Sequence, residues 1–430
     1  MTDDERRTTN DQRDGKPAAE GGAQIVQPGS QPTSARLTLV AGLVIALCIL
    51  GDSFIYSILP LEAANLGIAL PLVGVLLSAN RLVRLLSNTA AGRVYERFGT
   101  RRPFAFSAAF GVLTTAIYAL GQGFWLFLPA RLGWGIAWSG LRQGGYQAVW
   151  ASDERLRGRL MGLLWGVIRL GSALSVVAGG YLWDQYGYRT AALAVLAASV
   201  FAAPLAVTMR WPGAVHHAAP WKPRDALWSG LVAALQADRS RRLLLAGFIY
   251  AVFEGVLIST TSLFLAGRLG ADGLPGGLGL RVGTVAGFLL AVRWTSEILF
   301  GPAIGALADR CGRVNVLLGL AFSLLAGVIG MTWLAGLPLL LSLLVAFVSS
   351  AGLNITFSAV ASIEAQHTAR PQLFVGAYAT AGDAGSASGP LLAYSLSALA
   401  GGMQNLYLVG AAILAAAVAT YWRYINQRTP

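Results

Sequence analysis

Charged side chains interrupt the long apolar stretches of this chain, and they are the residues best suited to chemistry. The carboxylates in these stretches are Asp52, Glu254, Glu297 and Asp383. The arginines are Arg81, Arg84, Arg131, Arg142, Arg169 and Arg293. A charge at the centre of a lipid bilayer costs about 2.5–3.5 kcal/mol on insertion scales, so such residues are kept where they pair, carry protons or bind a ligand.

One of these arginines precedes a patterned aromatic stretch. Arg131 is followed by Trp134, Trp138 and Arg142, and steps of three and four residues place these side chains along one stripe of a helix. A guanidinium flanked by indole rings suits an anionic or aromatic ligand. We therefore predict that Arg131, Trp134 and Trp138, with Asn354 as a further polar group, line a substrate cavity. The alternative is that the tryptophans anchor the helix at the lipid interface and the arginines reach out to water.

The composition indicates that helices in a bilayer position these residues. Hydrophobic residues make up 55% of the 430 positions and charged residues only 12%, against about 25% charged residues in a soluble domain. Apolar stretches of about 20 residues, the length of a transmembrane helix, recur after Arg36. The net charge of +12 comes from arginines in short connections, which is typical of a membrane protein and argues against a nucleic-acid partner.

We predict an all-α membrane protein with twelve transmembrane helices in two pseudo-symmetric six-helix bundles. The predicted spans are 37–60, 71–92, 103–122, 125–149, 157–182, 190–209, 243–267, 282–304, 314–335, 337–360, 372–399 and 403–424. They form bundles at 37–209 and 243–425, joined by a polar central loop at 210–242. Residues 1–36 are predicted to be a disordered tail.

The distribution of basic residues predicts the orientation in the membrane. In the connections on one side of the predicted spans, the only basic residues are Arg189, Arg268 and Arg281. The other side holds the tail, the central loop and most of the remaining arginines. Because basic residues accumulate on the cytoplasmic side, both termini are predicted to be cytoplasmic, in a bacterial inner membrane.

An internal repeat organises the chain. The segment that begins at Gly92 and the segment that begins at Gly305 have the same pattern, 213 residues apart. Its glycines and charged residues are Gly92, Glu96, Arg97, Gly99, Arg101 and Arg102 in the first copy, and Gly305, Asp309, Arg310, Gly312 and Arg313 in the second. Spans five and eleven repeat Gly162 and Gly171 as Gly376 and Gly385, 214 residues apart. The halves are therefore predicted to be repeats of one fold with the same membrane orientation.

At these positions the sequence resembles the major facilitator superfamily, and is closest in motif to its bacterial drug or metabolite–proton transporters. Residues 92–102 match every defined position of the family signature Gly-x-x-x-(Asp/Glu)-Arg-x-Gly-x-(Arg/Lys)-Arg. In the second copy, Val314 and Asn315 replace the final basic pair. Arg131 and Gly135 look like the family's Arg-x-x-x-Gly motif on the fourth span. The family's antiporter motif has Gly-Pro where this chain has residues 175–176, Ser-Val.

The resemblance implies a role for the repeated segments. In the family, the acidic residue of the signature braces the cytoplasmic gate against the other half of the protein, which implies this role for Glu96 and Asp309. A carboxylate there can cap the positive end of a helix, and the adjacent Arg97 and Arg310 can hold it. The alternative is that the arginines only fix the topology, which we favour for Arg101, Arg102 and Arg313.

The repeat also predicts charge pairs between the halves. Arg84 corresponds to Glu297, and Arg169 corresponds to Asp383. In the family fold, the second span faces the eleventh and the fifth faces the eighth, which implies the pairs Arg84–Asp383 and Arg169–Glu297. The alternative is that each arginine bonds within its own half or extends to water.

Two further carboxylates are candidates for proton coupling. Asp52 and Glu254 occupy similar places in spans one and seven, which line the central cavity in the family fold. A carboxylate in a partly dry cavity can take up and release a proton. The alternative for Asp52, which lies between Gly51 and Ser53, is a local break of the first helix.

The function implied by the resemblance is secondary active transport of a small organic molecule by alternating access, with protons as the coupling ion and export favoured over import. Lysines occur only at positions 16 and 222, so the chain has no Gly-x-x-x-x-Gly-Lys loop for ATP. We predict no enzymatic activity, cofactor or metal, and a monomer whose partners are its substrate, protons and lipid. The surplus of arginines favours an anionic or amphiphilic substrate. The alternative is a non-transporting sensor or membrane scaffold with this fold.

Overall fold

The computed structural model describes residues 32–152, 154–212, 232, 235–270, 281–368, 371–397 and 399–427. The regular structure of these residues is helical. The first half contains α1 (Pro32–Glu62), α2 (Leu70–Phe98), α3 (Arg101–Leu120), α4 (Phe124–Trp150), α5 (Arg157–Val200) and α6 (Ala202–Thr208). The second half contains α7 (Asp238–Leu269), α8 (Val282–Cys311), α9 (Arg313–Trp333), α10 (Gly336–Gln366), α11 (Pro371–Leu396) and α12 (Met403–Asn426).

The helix α5 contains more than one transmembrane span. It has 44 residues, about twice the length that crosses a bilayer. Gly187 breaks it with a φ of 78° and a ψ of 175°, a backbone conformation that glycine adopts without steric cost. Residues 188–200 therefore turn back, and together with α6 they form the sixth span.

The described helices agree with the prediction of twelve spans. Within the described residues, nine stretches are long and apolar enough to cross a membrane. The longest, Glu154–Thr208, has 55 residues and contains the break at Gly187, so it has the length of two spans. Helices α4 and α11 have 27 and 26 residues and complete the set, with a less apolar composition.

The repeated segments are more helical than the sequence predicts. Residues 92–102 and 305–313 are predicted to be loops, but α2 continues to Phe98 and α8 to Cys311. The turns are confined to Gly99-Thr100 and Gly312, where the glycines have φ values of 71° and 86°. Arginine and glutamate are good helix formers, so the helices continue beyond the point where the apolar pattern ends.

Two other helices also extend beyond the apolar stretch that predicts them. Helix α1 begins at Pro32 and α7 at Asp238, each one turn or more before the first apolar residue that defined the predicted span. The central loop predicted at 210–242 is therefore shorter at its end. Most of the predicted tail, residues 1–31, and residues 213–231 of the central loop lie outside the described residues.

The helices pack as two equivalent halves. In the first half α1 packs along α5 and α2 along α4, and in the second half α7 packs along α11 and α8 along α10. Between the halves, α2 packs against α11 and α5 against α8. The two contacts between the halves are equivalent, because exchange of the repeats converts α2 on α11 into α8 on α5. A two-fold axis normal to the membrane has this effect.

The halves approach each other most closely on one side of the membrane. Successive spans alternate in direction, so the beginnings of α1 and α7 and the end of α12 share one side, which we name the terminal face; the opposite side is the distal face. Toward the distal face, the backbones at Gly180 and Gly283 leave no space for a β-carbon, and a β-carbon at Gly74 would lie 2.7 Å from the Pro390 carbonyl oxygen. Toward the terminal face, Gly92 and Gly305 have open space around them. The tightest described contacts between the halves thus lie toward the distal face.

Candidate functional site

Two ion pairs join the halves near the middle of the membrane. Arg84 on α2 lies 3.0 Å from a carboxylate oxygen of Asp383 on α11, and the amide of Asn88 donates to the other oxygen at 3.5 Å. Arg169 on α5 lies 3.1 Å from a carboxylate oxygen of Glu297 on α8. The structure therefore brings together the same pairs that the repeat and the family resemblance together imply. Their role in the transport cycle remains a proposal.

The second of these pairs belongs to a longer chain of charges. Arg293 on α8 is only 2% exposed and contacts two carboxylates: it donates to Glu297 at 2.7 Å and forms an ion pair with Glu254 on α7. Asn354 on α10 also donates to Glu297, at 2.8 Å. A continuous series of charge-assisted hydrogen bonds thus runs from Glu254 through Arg293 and Glu297 to Arg169, across the boundary between the halves.

The corresponding carboxylate of the first half is paired within that half. Asp52 on α1 forms an ion pair with Arg131 on α4, and it accepts a hydrogen bond from the Asn80 amide on α2 at 3.2 Å. Arg131 is fully buried and also donates to the Leu76 carbonyl at 3.0 Å. Asp52 and Glu254 are both held by arginine, but only Glu254 is connected to the other half.

The substrate cavity predicted from the α4 stripe needs a correction. Arg131 and Trp134 are not exposed to a cavity: Arg131 is held by Asp52, and Trp134 lies in the core of the first half, against Gly111 of α3. Glycines on α3 and α4 bring these helices so close that this face of α4 is buried. Trp138 is also buried, at 8% exposure, but its ring lies 6.4 Å from that of Trp165 on α5.

The half-buried face of α4 is displaced from the predicted stripe. Trp138, Arg142 and Tyr146 follow one another at steps of four residues, so they share a face of the helix. Trp165 of α5 lies opposite, with its ring 6.5 Å from that of Tyr146. The Arg169 guanidinium lies over the Trp165 ring at 6.0 Å. Trp165 thus contacts both the aromatic residues of α4 and Arg169, which belongs to the charged boundary between the halves.

The repeated signature segments lie at the terminal face and do not contact the opposite half through any hydrogen bond that the structure describes. Glu96, Arg97, Asp309 and Arg310 are exposed. The predicted pairing of Asp309 with Arg310 is wrong, because Asp309 instead accepts a hydrogen bond from Arg313 at 2.7 Å. Adjacent residues of a helix point in different directions, whereas residues four apart share a face. Of the other basic residues of the first signature, Arg101 donates to the Val207 carbonyl at 3.2 Å, and Arg102 is exposed.

Sequence reasoning missed a carboxylate at the distal face. Asp184, near the distal end of the fifth span, accepts hydrogen bonds from the backbone amides of Gly283 and Thr284 at 3.0 and 2.7 Å, and from the Thr284 hydroxyl at 2.5 Å. Arg281 donates to the Asp184 carbonyl at 2.8 Å. Asp184 therefore caps the first turn of α8, where the helix dipole favours a negative charge. We name Asp184, Gly283 and Thr284 the distal cap.

The sequence contains a signal for the distal cap, but the predicted spans leave it in a connection. The apolar pattern of the fifth span ends at Leu182, so the prediction puts residue 184 outside the helix. The helix instead continues to the break at Gly187. Glu62, at the end of α1, was also missed; it accepts a hydrogen bond at 2.5 Å from the indole of Trp183, the neighbour of Asp184.

The architecture of this chain is that of a known class of membrane proteins. A doubled six-helix bundle with charged residues buried at the boundary of its halves is the arrangement of membrane proteins built from parallel repeats. The model of the Major Facilitator Superfamily matches residues 41–390. The chain belongs to this superfamily, which confirms the resemblance found in its sequence. No curated protein sequence matches the chain significantly.

Solved structures share this fold at low sequence identity. The nucleoside transporter NupG superposes with a TM-score of 0.74 and 12% identity, over 90% of this chain and 98% of that chain. A bacterial homologue of the human lysosomal transporter Spinster, in an inward-facing and unoccupied conformation, has a TM-score of 0.70 and 15% identity, over 92% and 97% of the chains. A POT family transporter in complex with a thioalcohol-conjugated peptide has a TM-score of 0.72 and 12% identity, over 92% and 96%. At these identities the likeness shows the fold alone.

Proposed function

We propose that this protein is a secondary active transporter that moves a small organic molecule by alternating access, coupled to protons. The observation that carries the proposal is the series of charges from Glu254 to Arg169. It connects a carboxylate of the second half to an arginine of the first half through Arg293 and Glu297. A scaffold has no need of such a series, because buried charges are costly in a membrane.

Protonation of Glu254 provides a physical route from proton binding to movement. A neutral Glu254 no longer balances the charge of Arg293, which is then drawn more strongly to Glu297. Glu297 must share its two oxygens between Arg293 and Arg169, so a tighter bond to Arg293 weakens the bond to Arg169 of the other half. Loss of that bond favours separation of α5 from α8, the helices that close the distal face.

Asp52 provides a natural comparison for Glu254. Both carboxylates are partly buried and paired with a buried arginine, but the partners of Asp52 all belong to the first half. Its protonation changes no ion pair between the halves. We therefore propose Glu254 as the coupling carboxylate, and we propose that Asp52 has a structural role.

The orientation follows from the arginines. We propose that the terminal face is cytoplasmic, in a bacterial inner membrane, because the connections on that face hold most of the basic residues. The tight contacts between the halves then lie on the outer side of the membrane. Such contacts favour access from the cytoplasm, the side from which an exporter loads its substrate, and export is the direction we propose. We also propose that the protein works as a monomer.

Proton flux through purified protein tests the proposal. Proteoliposomes that contain a pH-sensitive dye are given a panel of organic anions and amphiphilic drugs, and compound-dependent proton movement is recorded. We expect Glu254→Gln to reduce this flux at least about tenfold, whereas Asp52→Asn, if folded, retains most of it. Equal flux from Glu254→Gln and the wild type would refute the coupling role. Silence across the panel, together with stable capture of a partner protein, would support a non-transporting scaffold instead.

A further inference from the structure

The positive charge at the boundary between the halves is unevenly compensated. Arg169 and Arg293 share Glu297 and Glu254, and Arg131 has Asp52. In contrast, Arg81, Arg84 and Arg142 have one carboxylate within hydrogen-bonding distance among the described residues, Asp383, which binds Arg84. Arg81 donates to the Tyr56 hydroxyl at 3.1 Å. The surplus charge is therefore local to this group of arginines.

Two of these arginines are linked through the contact between α2 and α4. Arg142 on α4 follows Ser139 by one turn, and the Ser139 hydroxyl donates to the Asn88 side chain of α2 at 2.8 Å. Asn88 shares Asp383 with Arg84. The described residues offer Arg142 no carboxylate. The Nε atom of Arg84 is buried and has no hydrogen-bond partner in the described structure. A buried donor without an acceptor is unfavourable, so Asp383 does not satisfy the whole guanidinium group of Arg84.

Aromatic rings flank the same arginine. Arg142 lies between Trp138 and Tyr146 on the half-buried face of α4, and Trp165 of α5 lies opposite both rings, at 6.4 and 6.5 Å. Tyr146 and Trp165 are half-buried rather than enclosed in the core. A flat ring can stack against such side chains while its charged group reaches the guanidinium groups.

We propose that Arg84, Arg142, Tyr146 and Trp165 form a subsite for an aromatic organic anion, a ring system that carries a carboxylate. This inference rests on the proposed transport function and specifies the class of substrate that the protein moves. The carboxylate binds Arg142 and lies near Arg84, and it offsets the positive charge that Asp383 leaves uncompensated. The ring stacks on the accessible sides of Tyr146 and Trp165, which contact each other. An organic cation is repelled by the same group of arginines.

Binding of 1-naphthoate to the full chain in detergent, measured by titration calorimetry, tests the subsite. The matched cation is 1-naphthylmethylamine, which has the same rings. We expect naphthoate to bind the wild type and the amine not to bind. Arg142→Gln should weaken naphthoate at least about tenfold, the loss expected for a hydrogen bond to a charged group. Arg159→Gln, which removes an exposed arginine at the beginning of α5, should leave it unchanged.

A second variant separates the aromatic contribution from the charge. Trp165→Leu keeps an apolar side chain but removes the ring face, and it should weaken naphthoate about two- to tenfold. The proposal is overturned if folded wild type binds no naphthoate, if the amine binds as tightly, or if Arg142→Gln binds like the wild type. The binding assay contains no pH gradient, so it is independent of the flux measurement. Naphthoate binding without proton flux would refute only the proposed coupling. Proton flux without naphthoate binding would refute only this subsite.

Discussion

The two ion pairs between the halves occupy symmetric places but have different neighbours. Asp383 is bound by Arg84 and Asn88, whereas Glu297 is bound by Arg169, Arg293 and Asn354. Arg293 has no charged counterpart in the first half, because the repeat places Asn80 at the equivalent position of α2. At the residue scale, the two pairs are therefore unequal: one is a simple bridge and the other is the end of a series of charges.

This inequality predicts different results for two charge exchanges. Arg84→Asp combined with Asp383→Arg keeps an opposite pair, so it should restore a melting temperature that either single change lowers by about 3 °C or more. Arg169→Glu combined with Glu297→Arg should fail to restore it, because an arginine at 297 faces Arg293 one turn away. Thermal unfolding of the purified protein in detergent measures both. Equal rescue of the two pairs would show that Arg293 does not depend on Glu297.

The distal cap operates at the scale of the element. The first turn of α8 has amides without helical partners, and Asp184 on α5 satisfies those of Gly283 and Thr284. The equivalent start of α2 has no side-chain cap, and Pro71 follows in its first turn. There the halves are joined by the close contact of Gly74 with Pro390. The distal face is therefore closed by a charged cap on one side of the axis and by packing on the other.

Removal of the charge from the cap should open the distal face. In Asp184→Asn the side chain has nearly the same shape, but its amide group faces donors instead of offering a carboxylate. With Cys311→Ser as background, spin labels at Leu120→Cys and Leu337→Cys, both exposed near the distal face, report the distance between the halves. We expect this distance to increase in the Asp184→Asn variant.

An exposed carboxylate provides the control for the cap. Asp238 lies in the first turn of α7 at the terminal face, with its side chain 49% exposed. Asp238→Asn should leave the distance between the distal labels unchanged. An unchanged distance in Asp184→Asn as well would show that packing alone holds the distal face closed.

At the scale of the whole molecule, the terminal and distal faces differ in both charge and contact. The tightest contacts between the halves lie toward the distal face, and the exposed signature segments lie at the terminal face. The glycines of the two faces thus have different uses: Gly180 and Gly283 permit close packing, whereas Gly99 and Gly312 permit sharp turns.

The orientation of the whole molecule is directly testable. With Cys311→Ser as background, a membrane-impermeant maleimide should label Leu337→Cys in intact cells and Gln427→Cys only in inside-out vesicles. The first residue lies at the beginning of α10, on the distal face, and the second follows α12, on the terminal face. Labelling of Gln427→Cys from outside intact cells would reverse the proposed orientation, and with it the side of the membrane on which the halves make their tightest contacts.

The sequence by itself indicated a membrane protein of repeated helical spans, and the repeat related the charged residues of its two halves. Apolar length is fixed by the thickness of the bilayer, and a repeated segment fixes the symmetry. Arg84 with Asp383 and Arg169 with Glu297 followed from that symmetry together with the neighbours of each span in the family fold. Asp52 and Glu254 were recognisable because a charge in an apolar span is costly.

Only the tertiary structure decided which arginine each of these carboxylates binds. Asp52 binds Arg131, 79 positions away, and Glu254 binds Arg293, 39 positions away. Both pairs depend on how the helices pack, α1 on α4 and α7 on α8. The burial of Trp134, the half-buried position of Arg142 and the cap by Asp184 have the same origin. The face of a helix that is buried depends on the neighbours it packs against, and the apolar pattern cannot reveal those neighbours when lipid and protein interior are equally apolar.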